Sequence, residues 1–217
     1  MKYDEILEAI FVDRPNRFVA HVDIDGRLTT VHVKNTGRCR EFLLPGVKVI
    51  LVRASNSNRK TEYDLVAVFK NNFGLINIDS QAPNQVVAEW LSKKDYDFIK
   101  PEYKFGESRI DFYMEKGNEK FLMEVKGCTL EKDGVGYFPD APTERGIKHL
   151  AELEKAVAMG YHAYLAFVIQ MDGIDEVRPN VDIHPKFGVA FDKAKAAGVE
   201  VLFLKCHVDE KGLDIIN

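Results

Sequence analysis

Asp111, Glu124 and Lys126 are charged residues inside a stretch, Ser108 to Lys126, that is otherwise mostly apolar. The stretch divides into two short runs, Ser108–Met114 and Lys120–Lys126, separated by Glu115-Lys116-Gly117-Asn118, the pattern of two strands and a turn. Residues two apart on a strand share a face, so Glu124 and Lys126 are co-facial, and a tight turn brings Asp111 close to Glu124. Charges at the end of a buried hairpin are costly unless they pair or hold a metal. Two carboxylates and a neighbouring carbonyl, that of Val125, form a hard-oxygen set suited to Mg²⁺, with Mn²⁺ as the alternative ion. Lys126 beside them can orient or deprotonate a water and steady charge on a phosphate. Together these parts suit phosphodiester hydrolysis. The competing reading is a surface hairpin carrying an ordinary Glu–Lys pair, which stabilises little.

The elements that must position these residues fall into two groups. From Ile6 to about Asp79 the chain shows only strand and turn patterns: Ile6–Phe11, Arg17–Ile24, Leu28–Val33, Val47–Ala54, Tyr63–Phe69 and Leu75–Ile78. Asp25-Gly26 is a strong hairpin signal. Several short strands without a helix predict an OB-like barrel over residues 1–79, a fold that often takes oligonucleotides. From residue 80 the pattern alternates. A helix is expected after Pro83, strands from Tyr103 to Lys126, and a helix from Glu144 to about Met159 capped by Thr143. A strand over His162–Gln170, a helix from Pro185 to Ala197 and a strand over Glu200–Cys206 complete it. That order predicts a mixed sheet flanked by helices over 80–217, making the whole an α+β protein of two domains.

A chain of 217 residues with a formal net charge of −4 is not uniformly basic. Its cations are unevenly placed, however. Between Lys34 and Lys60 stand Lys34, Arg38, Arg40, Lys48, Arg53, Arg59 and Lys60 against Glu41 alone. Such a run suits a polyanion-facing surface, the alternative being a solvated charged face. The three cysteines form no C-x-x-C pair, which fits a reducing cytoplasm. The acidic start carries no signal-peptide pattern, and no run is apolar enough to cross a bilayer as a helix.

The motifs taken together carry a likeness. Ser108-Arg109-Ile110-Asp111-Phe112, Glu124-Val125-Lys126, Phe138-Pro139-Asp140-Ala141 and Thr143-Glu144-Arg145-Gly146 with Lys148-His149-Leu150 resemble the sugar fermentation stimulation protein family. So do Asn35-Thr36-Gly37, Pro45-Gly46 and Asn58-Arg59-Lys60. The resemblance runs in order over nearly the whole chain. It implies an OB-like first domain, a restriction-endonuclease-like second domain of the PD-(D/E)xK superfamily, and DNA binding, and the family's name comes from an effect on sugar use. Asp111, Glu124 and Lys126 match the superfamily's catalytic pattern, and Glu89 matches the acidic residue many relatives carry on the preceding helix. One departure is Arg38-Cys39-Arg40-Glu41, where relatives often have a small neutral run.

Arg145 and Lys148 are three apart at the start of a helix and are candidates to hold a phosphate. The alternative is a Glu144–Lys148 pair. His149 is expected to be structural, and Asp140 is a loop cap without a catalytic role. The expectation is a DNA-binding protein, RNA remaining open, with an Mg²⁺-dependent nuclease site. Asp111, Glu124, Lys126 and Glu89 would be catalytic; Arg145, Lys148, Arg38, Arg40, Arg59 and Lys60 would bind substrate. The alternative is a non-catalytic DNA-binding regulator of sugar metabolism genes that keeps the nuclease fold. No membrane partner is expected, and oligomeric state is open.

Overall fold

A computed structural model describes residues 1–35, 37–54, 59–71 and 73–216. Thr36, residues 55–58, which include Asn58 of the motifs above, Asn72 and Asn217 lie outside the described residues. The first half forms β1 (Ile6–Asn16), β2 (Val19–Ile24), β3 (Arg27–Val33), β4 (Lys48–Arg53), β5 (Tyr63–Lys70) and β6 (Gly74–Asn77). They hydrogen-bond in the order β3-β2-β1-β4-β5-β6, and a parallel β3–β5 contact at His32–Asp64 and Val33–Leu65 closes the first five into an OB barrel. The β2–β3 turn is the expected one. Asp25 (φ 51°) and Gly26 (φ 83°) both adopt left-handed backbone, as a two-residue hairpin turn requires.

The second half contains α1 (Ala82–Leu91), β7 (Phe98–Phe105), β8 (Ser108–Lys116), β9 (Glu119–Cys128), α2 (Glu144–Ala158), β12 (His162–Ile169), α3 (Pro185–Ala196), β14 (Glu200–Asp209) and β15 (Gly212–Ile215). Its six-stranded sheet runs β15-β14-β12-β9-β8-β7, with β12 parallel to both neighbours. α1 buries Val86, Val87 and Leu91 against one face, together with Met123 and Val125. α2 and α3 bury Leu150, Leu153, Phe187 and Phe191 against the other, together with Leu122 and Leu165. The expectation of one closing strand is corrected, since β14 runs on to Asp209 and folds back as β15. A small sheet of β10 (Leu130–Lys132), β11 (Val135–Phe138) and β13 (Val177–Pro179) was also not foreseen. Strands this short carry too little alternation to register as a pattern.

The two halves share one hydrophobic core. Val31, Leu51, Leu65 and Ile76 of the barrel belong to the same buried cluster as Leu150, Phe167 and Val177. Polar contacts seal the junction. Gln170, itself buried, donates from Nε2 to the Asn77 backbone carbonyl (3.1 Å), the Asn77 side chain (3.0 Å) and the Asp79 carbonyl (3.1 Å). Lys70 of β5 pairs with Glu131 of β10. Among the described residues no helix is long and apolar enough to cross a membrane.

Candidate metal and phosphate site

The site begins with an interruption in β8. The β7–β8 ladder pairs Pro101 with Phe112 and Tyr103 with Ile110, skipping Glu102 and Asp111. Glu102 is in left-handed backbone (φ 54°), unusual for a residue with a side chain. On the other side the β8–β9 ladder ends at Phe112–Met123. Ile110 and Phe112, two apart, therefore enter opposite cores. The break frees β9 backbone groups from Glu124 onward, and Asp111 takes their place. Its Oδ2 accepts the Val125 N–H (2.8 Å) and its Oδ1 accepts from the Asn84 side-chain amide of α1 (2.8 Å). A strand residue's N–H and C=O project to the same edge, so the Val125 carbonyl faces the Asp111 side as well.

Glu124 is almost wholly sealed, at 1% exposure. One carboxylate oxygen, Oε1, accepts from both Lys126 Nζ and His149 Nδ1. The other, Oε2, is buried and has no partner. Behind His149 stands Arg145, whose Nε–H donates to His149 Nε2 (3.3 Å). A ring nitrogen facing that donor must accept, which leaves the imidazole proton on Nδ1, pointing at Glu124. The electrostatics separate the two acids. Burial works to raise the Glu124 pKa, but the His149 hydrogen bond and the Lys126 charge outweigh it, and the carboxyl is held below its usual range. Asp111 is shifted upward, by burial first and by the Glu124 charge second, against the opposing pull of the Val125 N–H, Lys126 and Asn84.

An unpartnered buried carboxylate oxygen, a second carboxylate that feels its charge and a backbone carbonyl are donors of the kind a hard divalent cation takes. Among the described residues no group of three His, Cys, Asp or Glu side chains is placed to hold a metal. Two carboxylates and a carbonyl are compatible only with an ion that takes few protein ligands and keeps several waters, as Mg²⁺ does.

The other expected residues are distributed differently. Glu89 pairs with the Met1 ammonium (2.8 Å), not with the two acids. It lies five residues beyond Asn84, roughly 140° around the helix, so the two cannot share a face. Lys148 reaches Glu107, donating to its carbonyl at 3.3 Å, and Glu144 reaches His184 at 3.4 Å. The alternative Glu144–Lys148 pair is thus not formed. Thr143 caps α2 through the Gly146 N–H (3.0 Å), as expected. Most of the basic run is neutralised. Arg59 forks onto Asp64 (2.6 and 3.0 Å), Lys34 meets buried Asp79 (2.8 Å), Lys48 meets Glu8 (2.6 Å) and Arg53 meets Glu62 (2.6 Å). Arg38, Arg40 and Lys60 are exposed. Asn84 and His149 complete the cluster and were not predicted to do so.

Two family models match the chain. One, described as the SfsA N-terminal OB domain, covers residues 12–78, and the other, the sugar fermentation stimulation protein RE domain, covers residues 81–212. A sugar fermentation stimulation protein homolog from Desulfitobacterium hafniense strain Y51 is 54% identical over 217 residues, spanning 99% of this chain and 95% of the relative. A homolog from Clostridium beijerinckii is 48% identical over 219 residues, spanning 99% and 96%. A solved structure, SfsA of Pyrococcus furiosus in complex with Ca²⁺, superposes with a TM-score of 0.86 at 28% identity, over 98% of this chain and 94% of that one.

Proposed function

The chain belongs to the sugar fermentation stimulation protein family, and we propose that it is a cytoplasmic nucleic-acid-binding protein that hydrolyses phosphodiester bonds at the Asp111–Glu124–Lys126 site. The observation that carries the reading is Glu124 Oε2, a buried oxygen of a charged carboxylate with no hydrogen-bond partner, on a side chain whose charge acts on Asp111. Leaving such an atom unpaired is costly, and a cation is the economical partner. The solved structure of a relative in complex with Ca²⁺, another oxygen-seeking divalent ion, supports the reading that the family takes such ions.

Asp111, Glu124 and the Val125 carbonyl would hold Mg²⁺. When bound, the ion would polarise a phosphoryl oxygen and acidify a water. The chain's own residues divide the remaining work. Asn84 and the Val125 N–H fix the Asp111 carboxylate. His149 and Lys126 fix Glu124 through Oε1, so that Oε2 is the oxygen left for the ion. The Lys126 ammonium, largely buried, offers its remaining protons to a phosphate oxygen or to the attacking water. Arg145, exposed at the first turn of α2, stands at the positive end of that helix, where a phosphate is favoured. The test is cleavage of labelled DNA with Mg²⁺ or Mn²⁺ by the wild type and by Asp111→Asn, paired with calorimetric metal titration. Loss of both cleavage and metal binding in the variant is expected; equal activity in the two proteins would remove the assignment.

One observation favours a second reading. Lys126 and His149 already compensate Glu124 from within. A non-catalytic DNA-binding regulator that keeps the nuclease fold would tolerate such closure. It predicts DNA binding that is unaffected by Glu124→Gln and no cleavage with any divalent ion.

A further inference from the structure

Three of the barrel's unpaired cations lie together in one groove, while Arg27 and Lys60 stand apart from it. The basic side chains Lys34, Lys48, Arg53 and Arg59 all have carboxylate partners. Arg17, Arg38 and Arg40 have none within ion-pair distance among the described residues, and all three line one groove of about 450 Å³ beside Asn16 and Ala141. The groove is built, not incidental. The Arg14 guanidinium donates to four backbone carbonyls, those of Arg17 (2.7 Å), Asn35 (2.7 Å), Gly37 (2.9 Å) and Arg38 (3.0 Å), tying the β1–β2 turn to the loop that carries Arg38 and Arg40. Asn16 Oδ1 accepts from the Phe18 and Val19 N–H groups (2.9 and 3.1 Å) and fixes the turn tip. That tip presents Phe18, half exposed, with the Arg17 guanidinium 5.7 Å from its ring centre.

The groove leads toward β9, the strand that carries Glu124 and Lys126. At Gly37 it meets a second cleft, about 180 Å³, between the two domains. Gly37 marks a close approach there, since a Cβ on it would lie 2.2 Å from Asp140 Oδ2. This cleft is lined by Tyr137, Phe138 and Gly127, the residue after Lys126.

From this placement we propose that Arg17, Phe18, Arg38 and Arg40 form a binding track for single-stranded nucleic acid, which runs from the barrel through the interdomain cleft to the site at Lys126. Unpaired arginines meet the phosphates and an exposed aromatic ring stacks on a base, the combination that suits single strands. Arg59, held by Asp64, lies outside the track. The proposal rests on the functional reading above for its destination, and it is tested without metal so that the two can fail separately.

The experiment is fluorescence anisotropy in EDTA, with labelled oligothymidylate and a duplex of equal length, on the full chain. Arg38→Gln/Arg40→Gln should weaken single-strand binding at least tenfold and flatten the salt dependence by about 1.4 logarithmic units, two phosphate contacts at ~0.7 each. Phe18→Ala should weaken it about tenfold with the salt slope unchanged. Arg27→Gln, which removes an exposed barrel cation that does not line the groove, should bind as the wild type does. Circular dichroism melts certify that each variant is folded, as the substituted groups are exposed or at the rim. Tight strand binding without cleavage would uphold the track and sink the nuclease reading. Wild-type affinity in the double arginine variant, or duplex bound as tightly as single strand, would overturn the track whatever the enzyme does.

Discussion

Replacing Asp111 with Asn should stabilise the metal-free protein. The two side chains are isosteric, so no cavity opens. Both hydrogen bonds survive: the remaining oxygen keeps the Val125 N–H, and the new amide faces Asn84, whose own amide turns over to accept. What disappears is a half-buried negative charge close to the Glu124 carboxylate, the pair whose repulsion, after burial, raises the Asp111 pKa. A folded-state pKa above the unfolded value of about 3.9 means that the native state binds the proton more tightly. The wild type therefore loses stability as pH rises from the unfolded pKa through the folded one, and the whole cost is present at pH 7. Removing it should add about 0.5–2 kcal/mol, the usual return from relieving a functional site. At about 2–4 °C per kcal/mol for a chain of this size, the melting point should rise by roughly 1–8 °C. Thermal and urea unfolding in EDTA from pH 4 to 8 measure it, and the gap should close toward the acid end. Saturating Mg²⁺ should invert the order, because a ligand at a hundred times its Kd stabilises the wild type alone by about 2.7 kcal/mol. A variant that is less stable than the wild type in EDTA at pH 7 would refute the reasoning. Asp111 would then be a structural acceptor whose bonds outweigh its charge.

Three further outcomes are expected. His149→Ala removes a buried hydrogen bond to the charged Glu124 carboxylate and should destabilise by about 1.5–3 kcal/mol, measured by urea titration at neutral pH, whereas His149→Asn, which keeps a donor, should recover part of that. Arg14→Gln removes most of the donors to four carbonyls, and hydrogen exchange at residues 35 and 37–38 should accelerate with a stability loss of about 1–3 kcal/mol. Glu89→Gln should leave metal affinity within twofold of wild type in a calorimetric titration, since its carboxylate is engaged by the Met1 ammonium on a different face of α1 (2.8 Å).

How much of this the chain disclosed beforehand follows from where each signal resides. Asp111, Glu124 and Lys126 stood out because a charge within an apolar strand has few explanations, and a local hairpin suffices to bring them together. The barrel was legible for a similar reason, its turns being marked by residues such as Asp25-Gly26 that only certain backbones accept. Asn84 and His149 depend on how helices pack across a sheet, which no local pattern encodes. His149 did leave a trace, as it lies on the same helical stripe as Leu153 and Ala156, and a polar ring there requires a buried partner. Helix geometry alone separates Glu89 from Asn84. The basic run misled because charge was summed along the sequence, while the neutralising acids Glu8, Asp64 and Asp79 come from other strands or from beyond the window.

The continuous core beneath both domains has a mechanical corollary. With Val31, Leu65, Phe167 and Val177 in one packed cluster and Gln170 bonded to Asn77 and Asp79, parting the halves would expose that cluster and break those bonds. The spacing between the arginine-bearing loop and Lys126 is then a fixed length of the molecule. On the proposed track, a protein built this way would act as a ruler, engaging a strand at one end and meeting it at a constant number of nucleotides further on.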